Sequence, residues 1–118
     1  MDRVRVHLGS GDTARGSLPI DRRLSAYHEH PESDPALASL YLQLGRYLLL
    51  CSTRPGALPP NLQGLWTETI QAPWNGDYHL NINLQMNYWP AEKGALSETV
   101  SPLTDWIESI VPSGEKTA

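Results

Sequence analysis

Cysteine is almost absent from this sequence, since Cys51 is the one thiol among 118 residues. A single cysteine excludes an internal disulfide and leaves the redox compartment open. Cys51 falls within an apolar helical pattern, which indicates an inert core thiol rather than a nucleophile.

Positive charge and long apolar runs are also scarce. Lysine and arginine number 9 against 13 aspartates and glutamates, which gives a net charge of −4. Nucleic-acid binding needs clustered basic side chains, so a neutral partner is favoured over a nucleic acid. No window reaches the ~18 consecutive apolar residues of a membrane span, and we expect no membrane partner.

Patterns for targeting and for metal binding are missing as well. The first four residues, MDRV, do not begin the apolar stretch of a signal peptide, so the compartment stays open, a secreted longer parent included. His7, His28 and His30 show no metal spacing with cysteine or aspartate partners. We therefore predict neither a metal nor another cofactor.

The composition that remains is enough for one ordinary domain with a modest core. Hydrophobic residues make up 40% of the chain and charged residues 19%, far from the composition of a disordered chain. Residues 3–8 alternate charged with apolar side chains, which predicts a short strand. Residues 9–31 are predicted mostly as loop, with a weak helical turn at residues 21–27.

Three later segments show the periodicity of helices. Asp34-Pro35 opens the clearest one, because aspartate can cap free amides and a first-turn proline gives up an N–H that has no partner there. A second helix is predicted at residues 81–93, bent or ended by Pro90. A third starts at residues 101–102 and is predicted to stop at residues 112–114. Between the first two helices, residues 54–78 are predicted as a long central loop.

Amide and indole side chains are concentrated in this loop and just after it. All five asparagines and three of the four tryptophans fall within residues 61–89: Asn61, Asn75, Asn81, Asn83, Asn87, Trp66, Trp74 and Trp89. Amides can pair with vicinal hydroxyls, and a tryptophan face can cover the C–H side of a sugar ring. The set suits a neutral, hydroxyl-rich ligand, although composition alone favours amides that bridge loops and tryptophans that fill a core.

The run WNGDYHLNINLQMNYWPAE at residues 74–92 is the most specific motif in the chain. Around it stand STRPG at residues 52–56, NLQGLW at residues 61–66 and LSE at residues 96–98. These stretches together resemble glycoside hydrolase family 95, the α-L-fucosidases, closely over residues 34–118 and loosely before them.

The resemblance implies a mainly α fold, an incomplete piece of an (α/α) six-hairpin barrel with a short N-terminal strand and the long central loop. Residues 1–33 would then be a strand and loop that lead into the domain. Residues 34–118 would be the N-terminal part of the barrel, and we expect the chain to stop mid-domain.

The resemblance also implies the chemistry, which is inversion at the anomeric carbon. One group protonates the leaving oxygen while a water attacks the opposite face of the sugar. The two asparagines that hold this water in the family match Asn81 and Asn83. The family's general-acid glutamate and assisting aspartate lie far downstream, so we expect the isolated chain to be inactive. The implied partners are a fucosylated glycan and the remainder of the catalytic domain.

Four residues near the asparagine pair are candidates for substrate binding. Asp77 and His79 either touch the sugar or brace the loop, and Trp66 and Trp74 either stack on the sugar or pack in the core. None of the nearby carboxylates matches the family's acid or its assisting aspartate: Glu68, Asp77, Glu92 and Glu98.

Three functions stay open at this point. The chain is a fucosidase segment, a noncatalytic carbohydrate-binding remnant, or a helical interaction fragment whose apolar faces dock another chain. The motif favours the first, and preference for an L-fucoside over the related L-galactoside stays open.

Overall fold

The computed structural model describes residues 3–9 and 13–118, and the regular elements in those ranges are helical. The α-helices are α1 Thr13–Gly16, α2 Ile20–Glu29, α3 Pro35–Ser52, α4 Asn83–Tyr88, α5 Pro90–Lys93 and α6 Ser101–Thr117. Short 3-10 turns lie at Pro31–Ser33 and Ser97–Thr99. The mainly α class predicted from the sequence is confirmed.

The chain divides into two compact units, and the boundary falls inside α3 between Gly45 and Arg46. Within the described ranges, no helix is both long and apolar enough to cross a membrane.

The first unit differs most from the sequence-based expectation. Residues 4–8 adopt no regular structure, so the strand predicted at residues 3–8 is not confirmed. A strand needs a neighbouring strand to satisfy its backbone, and none lies within the described residues. Residues 9–31 carry α1 and α2 where mostly loop was predicted, and the weak turn at residues 21–27 is the middle of α2. Residues 1–2 and 10–12 of the predicted lead-in lie outside the described ranges.

A buried ion pair connects α2 to the start of α3. Arg23 Nε donates to Asp34 Oδ2 at 2.9 Å, and its Nη2 donates to Oδ1 at 3.0 Å. Oδ1 also accepts the Leu37 N–H at 3.2 Å, which confirms the predicted cap of α3. The Asp34 carboxylate therefore caps α3 and also holds α2. The contact with α2 cannot be predicted from the local periodicity of the sequence.

Replacing Asp34 with asparagine should destabilise the first unit at neutral pH, and this effect should diminish as the pH falls below about 4. The hydrogen bond from Arg23 lowers the pKa of Asp34 below its usual range. A lowered folded pKa contributes stability that is present above the unfolded value, about 3.9, and lost as pH falls through the folded pKa. Asparagine keeps the capping oxygen, so the variant removes mainly the ion pair.

The measurement is the urea midpoint of unfolding between pH 2 and pH 7. The wild-type midpoint should fall toward that of Asp34→Asn as the pH drops below about 4. Asp105→Asn, an exposed carboxylate on α6, is the matched control. A gap between wild type and Asp34→Asn that stays constant from pH 7 to pH 2 would contradict the assignment.

The second unit has a small apolar core between the end of α3 and the helices that follow the loop. Leu49, Ala91 and Leu96 are buried in it, and Leu50, Tyr88 and Val100 pack against them. Buried Arg46 donates from Nε to Gly94 O at 2.8 Å. A Cβ at Gly94 would lie 2.6 Å from Pro90 O, so this close approach requires glycine.

Two prolines near the end of the chain have different effects. Pro90 separates α4 from α5, as the sequence predicts for the second helix. The stop predicted for the third helix at residues 112–114 is wrong, because α6 continues through Pro112 to Thr117. An interior proline leaves the carbonyl four residues earlier without its N–H donor. Residues 111–118 are exposed, so water can reach this part of the helix.

Candidate functional site

The loop between α3 and α4 begins with a tight turn that carries Trp66. Asn61 Oδ1 accepts the Gln63 N–H at 2.9 Å, and Asn61 O accepts the Gly64 N–H at 3.1 Å. Gly64 has a φ of +62°, and a Cβ there would lie 3.0 Å from Trp66 Cε3 and Cζ3. Glycine therefore lets the indole lie against the backbone of the turn. Trp66 is nevertheless 47% exposed.

The same loop ends in a left-handed turn at residues 74–76. The φ angles of Trp74, Asn75 and Gly76 are 53°, 56° and 64°, and the Asp77 N–H closes the turn on Trp74 O at 3.1 Å. The left-handed region costs about 1–2 kcal/mol for a residue with a Cβ, and a bulky tryptophan rarely adopts it. Trp74 is 76% exposed, and its ring meets His79 edge-on with 6.0 Å between the centroids.

Asn81 and Asn83 lie at the turn that begins α4. His79 O accepts the Leu84 N–H at 3.1 Å, which closes the chain over residues 80–83. Asn81 is exposed in this turn, and Asn83 is the half-buried first residue of α4. The fold thus brings both amides into one short turn that directly follows His79.

The structure divides the asparagines by what their side chains contact. Asn61 is used inside its own turn, and Asn87 Nδ2 donates to Pro60 O and Asn61 O at 3.3 Å each. Within residues 3–9 and 13–118, the side chains of Asn75, Asn81 and Asn83 make no hydrogen bond to the protein. Two amides therefore hold the loop, while the pair at the start of α4 is available to a ligand.

The side chains of Asp77 and His79 are not used to hold the backbone of the described residues. The Asp77 N–H and C=O close contacts to Trp74 and Leu62, whereas its carboxylate is exposed and makes no hydrogen bond to the described protein. The His79 carbonyl accepts from Leu84, and its imidazole contacts Trp74. Both side chains can therefore reach a ligand without breaking the loop.

Comparison with known proteins gives one consistent result. The family model for the glycosyl hydrolase family 95 catalytic domain matches residues 1–118. The chain belongs to this family. It is 42% identical to "Alpha-L-fucosidase 2" of Arabidopsis thaliana over 120 aligned residues, which cover 99% of the chain. It is 48% identical to "Probable alpha-fucosidase A" of Aspergillus niger over 101 residues, or 85% of the chain. The chain spans 12–14% of the length of these relatives.

The aromatic side chains that support the loop of this family 95 segment were not predicted from the sequence. Tyr78 Oη donates to Pro59 O at 2.9 Å, and its ring packs on Trp106 with 4.7 Å between the centroids. Burial raises the pKa of Tyr78 and, as the largest effect, that of Tyr88, so both phenols stay protonated near neutral pH. Along an extended backbone, neighbouring side chains point to opposite sides, so Tyr78 is expected to point away from Asp77 and His79. This alternation is the one feature of the sequence that distinguishes Tyr78 from its neighbours.

Gln85 is a second supporting residue that the sequence did not reveal. Its Nε2 donates to Leu80 O at 2.7 Å, next to Asn81 in the turn. A glutamine four residues after the first amide of a turn is compatible with this brace, but it is equally compatible with a solvated side chain. Only the folded structure distinguishes a bracing Gln85 from a solvated one.

The carboxylates of the family 95 segment have dispersed positions. The exposed Glu92 accepts from Ser97 Oγ at 2.9 Å, and Glu68 is exposed in the loop. Among the described residues, no three His, Cys, Asp or Glu side chains form a group that could hold a metal ion. Asp77, four residues before Asn81, is the carboxylate nearest in sequence to the amide pair.

Proposed function

We propose that this chain is a segment of an inverting α-L-fucosidase in which Asn81 and Asn83 position the attacking water. The observation that carries the proposal is that these two amides lie in one short turn and make no hydrogen bond to the described protein. Membership of family 95 and the names of the two relatives support the substrate class.

The chemistry of an amide explains what the pair can do. Each side-chain oxygen can accept a hydrogen bond from the water, so two of them can fix its orientation toward the anomeric carbon. An amide oxygen is a very weak base and cannot keep the proton that the water loses. The reaction therefore needs an assisting carboxylate and a general acid, which the family resemblance assigns to residues outside this chain.

The residues around the amide pair supply contacts for a neutral sugar. The exposed face of Trp74 can cover the C–H side of the ring, and Trp66 offers a second aromatic face. The Asp77 carboxylate accepts hydrogen bonds from sugar hydroxyls, and the His79 imidazole can donate or accept one. In this proposal a terminal L-fucosyl group of a glycan occupies the site.

The proposal extends to the architecture. Residues 34–118 form the N-terminal part of an (α/α) six-hairpin barrel, and residues 1–33 lead into it. The helices α3 to α6 supply the helical elements that such a barrel requires.

A hybrid enzyme tests the function. In this hybrid, the matching segment of the Arabidopsis thaliana relative is replaced by residues 1–118 of this chain. We expect the hybrid to hydrolyse an aryl α-L-fucoside within about tenfold of the parent kcat/KM, since the two segments share 42% identity over the full chain.

The control is the same host with residues 74–92 of the inserted segment replaced by a glycine-serine linker, which should be inactive. A folded hybrid that binds and cleaves no fucoside would contradict the proposal. Folding is checked separately by circular dichroism and thermal unfolding, so that a misfolded hybrid is not counted as a negative result.

A further inference from the structure

Pro59, Pro60 and Asn61 form a segment whose three consecutive carbonyls all accept side-chain hydrogen bonds. Tyr78 Oη donates to Pro59 O, and Asn87 Nδ2 donates to both Pro60 O and Asn61 O. The two prolines have no N–H and are buried, so neither of them can donate to a backbone ladder. The carbonyls of this segment are therefore satisfied by Tyr78, later in the same loop, and by Asn87 on α4.

Asn61 connects the hydrogen bond from Asn87 to the turn that carries Trp66. The carbonyl that accepts from Asn87 also accepts the Gly64 N–H, and Gly64 lies directly against the Trp66 ring. Both lone pairs of one carbonyl are thus used, one by the helix and one by the turn. A change at Asn87 is expected to move the turn and the indole that rests on it.

Helical spacing relates Asn87 to the amide pair. Asn87 is four residues after Asn83 on α4, so both side chains lie on one face of the helix. Asn87, which holds the turn that carries Trp66, therefore lies on the same rigid helix as Asn83, one of the two amides proposed to hold the water. One helix therefore fixes the spacing between Asn87 and Asn83.

We propose that Asn87 is a positioning residue that sets the distance between Trp66 and the amide turn, so that the sugar is held against the attacking water. This inference rests on the proposed function. It assigns Asn87 no contact with the substrate, and its effect on the sugar passes through Trp66. Its expected signature is weaker substrate binding rather than slower chemistry.

The first test measures KM and kcat of the hybrid enzyme with an aryl α-L-fucoside. Asn87→Ala should raise KM about tenfold and lower kcat by less than about threefold. Asn87→Asp keeps the shape of the side chain but removes the donor, so it should act in the same direction. Asn87→Asp also provides the test if the alanine variant does not fold. Gln43→Ala removes a comparable amide-to-carbonyl contact, 2.9 Å from Gln43 Nε2 to Val4 O, and should leave KM unchanged.

A double-mutant cycle separates action through Trp66 from a general loss of structure. In a Trp66→Ala background, Asn87→Ala should raise KM no further, because the residue it positions is gone. A spectrum of the 118-residue chain adds a readout without substrate, in which the Trp66 indole N–H resonance should shift or broaden in Asn87→Ala. Additive effects on KM, or an unchanged Trp66 resonance, would overturn the inference.

The results also distinguish this inference from the proposed function. If Asn81→Ala slows the hybrid while Asn87→Ala leaves KM within about twofold, only the positioning role fails. If neither Asn81→Ala nor Asn83→Ala changes turnover, the proposed function fails and the positioning role fails with it.

Discussion

Replacing Asn81 or Asn83 with alanine in the hybrid enzyme is expected to lower kcat by about 100-fold while KM stays within about threefold. Neither amide makes a side-chain hydrogen bond within residues 3–9 and 13–118, so their removal should leave the turn and its backbone contacts in place. What is lost is the orientation of the water, and a misplacement of about 1 Å can cost a factor of this size. In the proposed site the sugar keeps its contacts with Trp66 and Trp74, so we expect affinity to change little.

Steady-state kinetics at substrate concentrations above and below KM measure both parameters. Gln71→Ala removes an exposed amide from the same loop and is the matched control. Asn81→Asp and Asn83→Asp preserve the side-chain shape and test whether a negative charge can replace the amide. A kcat within about twofold of the unmodified hybrid for both alanine variants would exclude a role in positioning water.

The 118-residue chain alone is expected to show no detectable hydrolysis of an aryl α-L-fucoside. General acid catalysis contributes typically 10²- to 10⁴-fold, and in this proposal both the acid and the assisting carboxylate lie outside these residues. Asp77 is exposed and is the carboxylate nearest in sequence to the amides, but it matches neither the general acid nor the assisting aspartate that the family resemblance implies.

The assay compares the purified chain with the hybrid enzyme at equal concentration over a pH range of 4–8. Circular dichroism establishes that the chain is helical under the assay conditions, and chemical shifts of Asn81 and Asn83 report whether methyl α-L-fucoside binds. Asp77→Asn is the informative variant. Turnover by the isolated chain that disappears in Asp77→Asn would assign a local acid and contradict the proposal.

Helix starts were predictable from the sequence where a single local device decides them. Asp34 and Pro35 act within one turn, and the structure shows the predicted cap on Leu37. The end of α6 was not predictable in this way, because Pro112 lowers helix stability without preventing a solvent-exposed helix from continuing. Likewise α2 is held by Arg23 through a partner in the following element, and such a contact leaves no periodic trace.

The candidate site shows the same limit more clearly. Sequence composition identified a cluster of asparagines but could not separate those that bridge the loop from those that are free. Asn61 and Asn87 make contacts 26 residues apart in the chain, and only folding brings them together. The positions of Asn81 and Asn83 came from a family resemblance, and the structure adds that their amides are without partners in the described residues.

The left-handed turn at residues 74–76 has a consequence for directed evolution. Glycine in place of Asn75 adopts this backbone region freely, whereas a β-branched residue does not, so selection for thermal tolerance would favour one narrow set of changes there. The same turn leaves Trp74 exposed, and in the proposed function this ring covers the sugar, so selection for turnover would resist its replacement. Positions 74 and 75 would then respond to two different selections. A library screened for stability alone would gain stability at position 75 and lose activity at position 74.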